Sequence, residues 1–172
     1  PGAYSLDPQS PDEALTRTLL LDPNEAERPD VVVVVVSAAH LARGLYLLAQ
    51  VRTTGQRVVL AVTMADVAAR RGVRVGTDAL AQVLGVPVVD LDPRRRSRLG
   101  ALAHVVDDVR VGAAPQPWSV DAVDPLDRAD ALFARINDAV TAAVTHTDTG
   151  RGTWSDRIDR LVTSPIVGPV IF

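Results

Sequence analysis

Three short polar stretches in this chain could do chemistry, and each follows an apolar run. Residues 37–40 follow six consecutive valines (31–36), residues 63–66 follow Val58, Val59, Leu60, Ala61 and Val62, and residues 90–94 follow Val86, Pro87, Val88 and Val89. In the second stretch the Asp66 carboxylate can accept two N–H groups from a planar donor, or cap the helix that follows it. In the third, Arg94, Arg95 and Arg96 with Arg98 make a cationic run. Such a run is either a solvated face or a contact for phosphate oxygens of a nucleotide or lipid. Other reactive residues lack partners. Ser5 and Ser10 sit in no G-x-S-x-G elbow and no triad order. His40, His104 and His146 are far apart and have no metal-ligand spacing. Asp107-Asp108 and Asp121 with Asp124 have no nucleophile beside them, so they read as solvated helix ends and loops. There is no Cys, and all 18 basic residues are Arg. That excludes thiolate metal sites, a Cys nucleophile, and a Schiff-base or phosphate-loop lysine within this chain. No catalytic residue and no metal ligand is assigned.

The elements that must position these stretches follow from periodicity. β-branched runs at 31–36, 58–62 and 86–89 predict strands apolar on both faces, hence buried and parallel. Between and after them, Leu41, Leu45, Leu48 and Val51 predict a helix over 41–53. A short helix is expected at 65–71, stopped by Gly72. Another runs over 78–84, opened by Thr77 or Asp78 and closed by Gly85, and a further one covers 99–109. Alternating strands and helices predict an α/β fold: a parallel sheet with flanking helices, right-handed crossovers, and ligands at the carboxyl ends of the strands. The 172 residues are 47% hydrophobic, 23% charged and 3% aromatic. A core is therefore expected, built of Val, Ala and Leu. A net charge of −3 and a pI near 5.5 argue against nucleic acid as a partner.

After Val111 the pattern changes. Residues 112–117 read as a linker. Leu126, Ala129, Leu132, Phe133, Ile136, Ala139, Val140 and Val144 predict an amphipathic helix over 125–144. Residues 145–153 read as a loop, and 154–162 as a last helix with Ser155 a possible N-cap. Trp118 and Trp154 are expected to be packing anchors, and residues 156–160 a solvated helix face with charge pairs three to four apart. The chain opens Pro1-Gly2 without Met and closes on the apolar run 166–172, too short to span a bilayer, which needs about 20 residues. Both ends read as cuts in a longer polypeptide.

Longer stretches carry a resemblance. Pro1-Gly2-Ala3-Tyr4-Ser5-Leu6 followed by Ser10-Pro11-Asp12-Glu13, Arg28-Pro29-Asp30 ahead of the valines, residues 41–50, Leu84-Gly85-Val86-Pro87-Val88-Val89, Trp154 to Leu161 and Ser164 to Gly168 together resemble the FeoB ferrous iron transporters, in order along the chain. The resemblance implies a partial P-loop GTPase-like sheet followed by a small all-α subdomain. The corresponding division is 1–111 for the second part of a G domain, 112–163 for a helical region resembling a nucleotide-dissociation inhibitor, and 164–172 for the start of the first transmembrane segment. It implies GTP and Mg²⁺ as cofactors, Fe²⁺ as the transported ion, and a place on the cytoplasmic side of the inner membrane. Implied partners are GTP or GDP, the transporter's own membrane domain, small accessory iron-transport proteins and a second copy of the chain.

The same resemblance places nucleotide contacts at Gly2, at Thr63, Met64 and Asp66, and at Asp92, Pro93 and Arg94. Gly2 matches the switch glycine whose N–H reaches the terminal phosphate. Asp66 matches the carboxylate that accepts the guanine N1–H and exocyclic amine. Three positions depart from the family pattern. Thr63 stands for an Asn, Pro93 removes a backbone donor in the third guanine segment, and Ser37 stands where Asp is frequent. The phosphate-cradling loop precedes residue 1 in the family, so the chain alone is expected to bind GTP–Mg²⁺ without high affinity and not to hydrolyse it. Two rivals stand beside this reading: a degenerate regulatory module that keeps the fold and has lost nucleotide binding, and an unrelated doubly wound domain of flavodoxin type.

Overall fold

Six valines in a row lose little by being extended, because a branched Cβ packs well on a pleated surface. In the computed structural model, which describes residues 2–22, 26, 28–113, 115–118 and 125–146, the last five of them and Ser37 form β1 (Val32–Ser37). β2 (Val58–Thr63) pairs with it in parallel, Val34 opposite Leu60 and Ser37 opposite Thr63. β4 (Val88–Asp90) pairs with the other side of β2, Leu60 opposite Val88 and Val62 opposite Asp90. The sheet order is β1-β2-β4, so β2 is central. The third strand starts two residues later than its apolar run because Pro87 has no N–H; its carbonyl instead accepts from Leu60 N at 2.9 Å.

Helices accompany this sheet. They are α1 (Pro11–Leu21), α2 (Leu41–Thr53), α3 (Ala65–Arg70), α4 (Thr77–Leu84), α5 (Arg96–Val111) and α6 (Pro125–Ala143). The helix begun at Thr77 is preceded by Gly76 and carries no side-chain cap. α2 lies against β1, with Leu45 and Leu48 fully buried, and α6 packs on α2 and α4 through Leu132, Ile136, Ala139 and Ala143. These last four recur at helical spacing, as the amphipathic pattern over 125–144 requires. Phe133 of the same pattern is exposed on one side but stacks on Tyr46, ring centroids 4.9 Å apart. On the sheet, Leu60 and Val62 join this core, while Val59 and Ala61 on the alternate face are buried as completely. Trp118 is the anchor expected of it. Its N–H donates to the Arg52 carbonyl at 3.1 Å, and the Arg52 and Arg135 guanidiniums lie 5.7 and 4.9 Å from its ring.

Two elements are additions to the sequence reading. α1 is one; Ser10 caps it by accepting from Glu13 N. The other is a second, antiparallel sheet of β3 (Val73–Val75) and β5 (Val144–His146). Val144, read as the end of the amphipathic helix, and Thr145 and His146, read as loop, thus belong to a strand, and Gly76 N donates to Ala143 O at 2.8 Å to close that junction. The expected helix at 154–162, Trp154, the Asp121–Asp124 pair and the terminal run lie outside the described residues. Among the described residues no helix is long and apolar enough to cross a membrane.

Candidate functional site

β2 and β4 lie side by side and run the same way, so the loops leaving their carboxyl ends must meet. They enclose an open cleft of about 640 Å³ lined by Thr63, Met64, Asp66, Asp92, Pro93 and Arg94, with Arg70, Asp90, Arg95 and Arg98 at its margins. Six of the seven residues singled out in the sequence are therefore brought together. Gly2 is not among them; it lines a different, apolar groove beside β1 with Tyr4, Leu20 and Val35.

The first loop is strained at its turn. Met64 has φ 57 and ψ 31, a left-handed conformation that a bulky side chain adopts at a cost of about 1–3 kcal/mol. The turn lets β2 end and α3 start within one residue, which puts Asp66 in the first turn of α3, facing the cleft. Asp66 does not cap that helix. The cap position is Met64, and no side chain bonds there. The carboxylate is free of backbone work and pairs with cations instead: Arg70 NH2 at 3.1 Å and Arg94 NH2 at 3.7 Å, both to Oδ2. Thr63 is turned to the neighbouring strand, its hydroxyl donating to Val36 O at 3.0 Å. Ser37 accepts from Ala39 N at 3.3 Å and donates to Met64 Sδ at 3.6 Å, so it shapes the turn after β1.

The second loop is a tight turn held by Asp92. Its Oδ1 accepts from Arg94 N at 3.1 Å and Arg94 Nε at 2.9 Å, its Oδ2 from Arg94 NH2 at 3.2 Å, and Arg95 Nε lies 3.4 Å away. The aspartate bonding to the backbone two residues on is the local reason for the turn. These bonds from Arg94 hold the Asp92 carboxyl below the usual carboxylate range, and Asp92 in turn raises Arg94. Arg98 pairs with Asp90 at 3.6 Å. The cationic run is solvent-exposed, as a solvated face requires, and Arg94, Arg95 and Arg98 are paired with Asp92 and Asp90. Its arginines crowd the N-terminus of α5, where the helix dipole disfavours positive charge, and Asp90 and Asp92 offset them.

The geometry can grip a flat group that carries N–H donors. No Ser, His or Cys lines the cleft; its reactive groups are the Thr63 hydroxyl, which bonds to Val36 O, and the carboxylates of Asp66, Asp90 and Asp92, each facing an arginine. Among the described residues no three His, Asp or Glu come together as a metal site. The chain has no phosphate loop whose Ser or Thr would hold Mg²⁺, and among the described residues no carboxylate group stands in for it, so no step here runs through that ion.

With this geometry in hand, the comparisons with known proteins decide the family. The family model described as ferrous iron transport protein B matches residues 1–106. The chain belongs to the FeoB family. Among curated FeoB relatives, the Fe(2+) transport protein A/FeoB fusion protein of Porphyromonas gingivalis is 42% identical over 65% of this chain, which spans only 13% of that relative. Among solved structures, the FeoB G-domain of Methanococcus jannaschii is 35% identical, with a TM-score of 0.55, over 63% of this chain and 69% of that one. The cytosolic domain of the T. maritima FeoB iron transporter in its GMPPNP form reaches a TM-score of 0.70 at 18% identity, over 84% of this chain and 78% of that one; that likeness is one of fold. The α/β class and the G-domain-like parallel sheet read from the FeoB-like segments are borne out.

One residue of consequence escaped the sequence reading. Glu13, buried in the first turn of α1, clamps the FeoB-like opening segment: its Oε1 accepts from Tyr4 N at 3.1 Å and its Oε2 from Gln9 N at 2.9 Å. The Tyr4 ring is also covered by Arg43 at 4.0 Å, and Leu6 N donates to Gln50 Oε1 at 2.8 Å. A carboxylate at the third residue of a helix opened by Ser10 was the available signal. Bonds from Gln9 and Tyr4 lower the Glu13 pKa below its ordinary 4.5. A group depressed in the folded state stabilises it above the unfolded pKa and loses that contribution as pH falls through the folded value. Glu13→Gln should therefore melt lower than the native protein at neutral pH, because one acceptor becomes a donor facing an N–H. The gap should close as pH is lowered through and below 4.5. Melts that keep a constant gap across that range would refute the clamp.

Proposed function

We propose that this chain is the guanine-recognising, regulatory portion of a ferrous iron transporter, placed on the cytoplasmic side and coupling GTP binding and hydrolysis to Fe²⁺ uptake through a membrane domain. The observation that carries the reading is Asp66: a carboxylate delivered to a cleft at the carboxyl ends of parallel strands, unused as a helix cap. Guanine offers N1–H and its exocyclic amine as two parallel donors, and a carboxylate accepts both in charge-assisted bonds. Adenine offers no such pair, so Asp66 supplies base specificity. Thr63, Met64, Asp92, Pro93 and Arg94 shape the walls. The residues 1–111 form the G-domain portion, and the region from 112 to 163, which holds α6 and β5, transmits the change of state toward the segment beginning at 164. Ordering of the opening segment around Gly2 by nucleotide is the switching event. The chain's own residues supply base recognition and no phosphate cradle, and Fe²⁺ is cargo.

The rival, a FeoB-derived module that has lost nucleotide binding, is favoured by one observation: the Thr63 hydroxyl is spent on Val36 O, where the family Asn would use its amide in the nucleotide loop. The two readings separate in a titration of the 172-residue chain with GDP and with ADP, followed by nitrogen-15 NMR. Weak binding is expected, near the millimolar range (roughly 4 kcal/mol). GDP should perturb the amides of residues 63–66 and 91–94 more strongly than ADP does. Asp66→Asn should remove the preference, a loss of about 1.5–3 kcal/mol for bonds to a charged acceptor. Equal or absent response to both nucleotides supports the rival.

A further inference from the structure

We propose that Arg94 is a built-in competitor for the guanine base, its guanidinium standing at Asp66 where the base edge must dock. The inference rests on the base-recognition reading above and adds the device that regulates it. A guanidinium is flat and presents N–H donors in a fork, the same pattern that guanine presents along N1 and its exocyclic amine. Asp66 Oδ2 already faces both Arg70 and Arg94, so a base edge that takes both carboxylate oxygens must displace the weaker of the two.

Arg94 is placed for this by its own loop. Pro93 fixes the chain direction, and Asp92 takes three bonds from Arg94, through its backbone N, Nε and NH2. The guanidinium plane is thereby anchored on the β4 side of the cleft, and its NH2 reaches across to Asp66 Oδ2 at 3.7 Å. That reach is an ion pair rather than a hydrogen bond, and Arg94 is 73% exposed at the cleft mouth. The Asp66 arm is therefore the weak one. An entering base displaces it while Asp92 keeps the arginine. Arg70 differs: it pairs with Asp66 from one turn along the same helix, and so does not bridge the two loops that a base must enter.

The test compares the GDP-to-ADP affinity ratio of the 172-residue chain with that of Arg94→Met, with and without Asp66→Asn. Arg94 is exposed, so folding should be retained, as circular dichroism melts would verify; Arg94→Gln serves as a second variant with the same expected direction. Removing the competitor should raise the GDP-to-ADP ratio about three- to fivefold, the worth of an exposed pair. The gain should vanish in the Asp66→Asn background. The ADP arm separates competition at the base from loss of a positive charge near phosphates, which weakens both nucleotides alike. An unchanged or lower ratio in both Arg94 variants overturns the competitor and leaves base recognition standing if the native chain prefers GDP. A gain that survives Asp66→Asn overturns it too. No preference for GDP in any variant overturns both this proposal and the reading beneath it.

Discussion

Leu60→Ala is expected to lower the unfolding free energy by about 3 kcal/mol. Leu60 is fully buried at the middle of the central strand, opposite Val34 on one side and Val88 on the other. Strand pairing on both sides and the 2.9 Å bond from its N–H to Pro87 O prevent the backbone from moving in to fill the space. The hole therefore stays, and the loss includes the cavity as well as the transfer of the missing carbons. For a domain whose whole stability is about 5–15 kcal/mol, that is a large fraction. Val35→Ala, on the exposed face of β1, is the control and should change stability by no more than about 0.5 kcal/mol. Urea unfolding of the three proteins measures it. A Leu60→Ala loss near that of the control would show that the core is not organised around β2.

Gly44→Val should be nearly as damaging, at about 2–3 kcal/mol, for the opposite reason. A Cβ at position 44 would collide with Val36 Cγ1 and sit 2.6 Å from Val36 Cβ. Neither atom can move away easily, because Cβ is fixed by the strand backbone and Cγ1 belongs to a buried β-branched side chain with restricted χ1. α2 must then lift from β1 and take Leu45 and Leu48 with it. Gly44→Ala is the instructive partner. Alanine favours a helix by about 1 kcal/mol over glycine, so a net loss in that variant isolates the contact from the propensity. A stabilised Gly44→Ala would mean that the helix does not approach the strand this closely.

The two effects also show what local pattern does and does not reveal. The valine run, the leucines spaced along 41–53 and the apolar stripe over 125–144 are legible because their period matches the face they bury. The strand-loop-helix junction at 63–66 is legible for the same reason, since a ligand-facing loop must follow a buried parallel strand. Gly44 carries no such mark. Its importance lies in the distance between a helix and a strand. The β3–β5 pair is similarly silent, because Val73–Val75 is too short to show alternation and its partner lies at Val144–His146. The start of α1 is fixed by Ser10 and by Glu13, which folds back on Tyr4 and Gln9.

The cleft follows the same division. The chain alone marks Thr63, Met64, Asp66, Asp92, Pro93 and Arg94, each close behind an apolar run; that these ends meet while residues 37–40 stay out of the cleft follows from the strand order. What those side chains do was decided only in three dimensions. Thr63 bonds to Val36, Asp66 is shared by Arg70 and Arg94, and Asp92 holds the turn that presents Arg94. Apolar periodicity is a property of neighbours along the backbone and survives in one dimension. The choice of partner for a charge or hydroxyl is set by directions and distances of a few ångströms between segments far apart in the chain, which exist only once the sheet has formed.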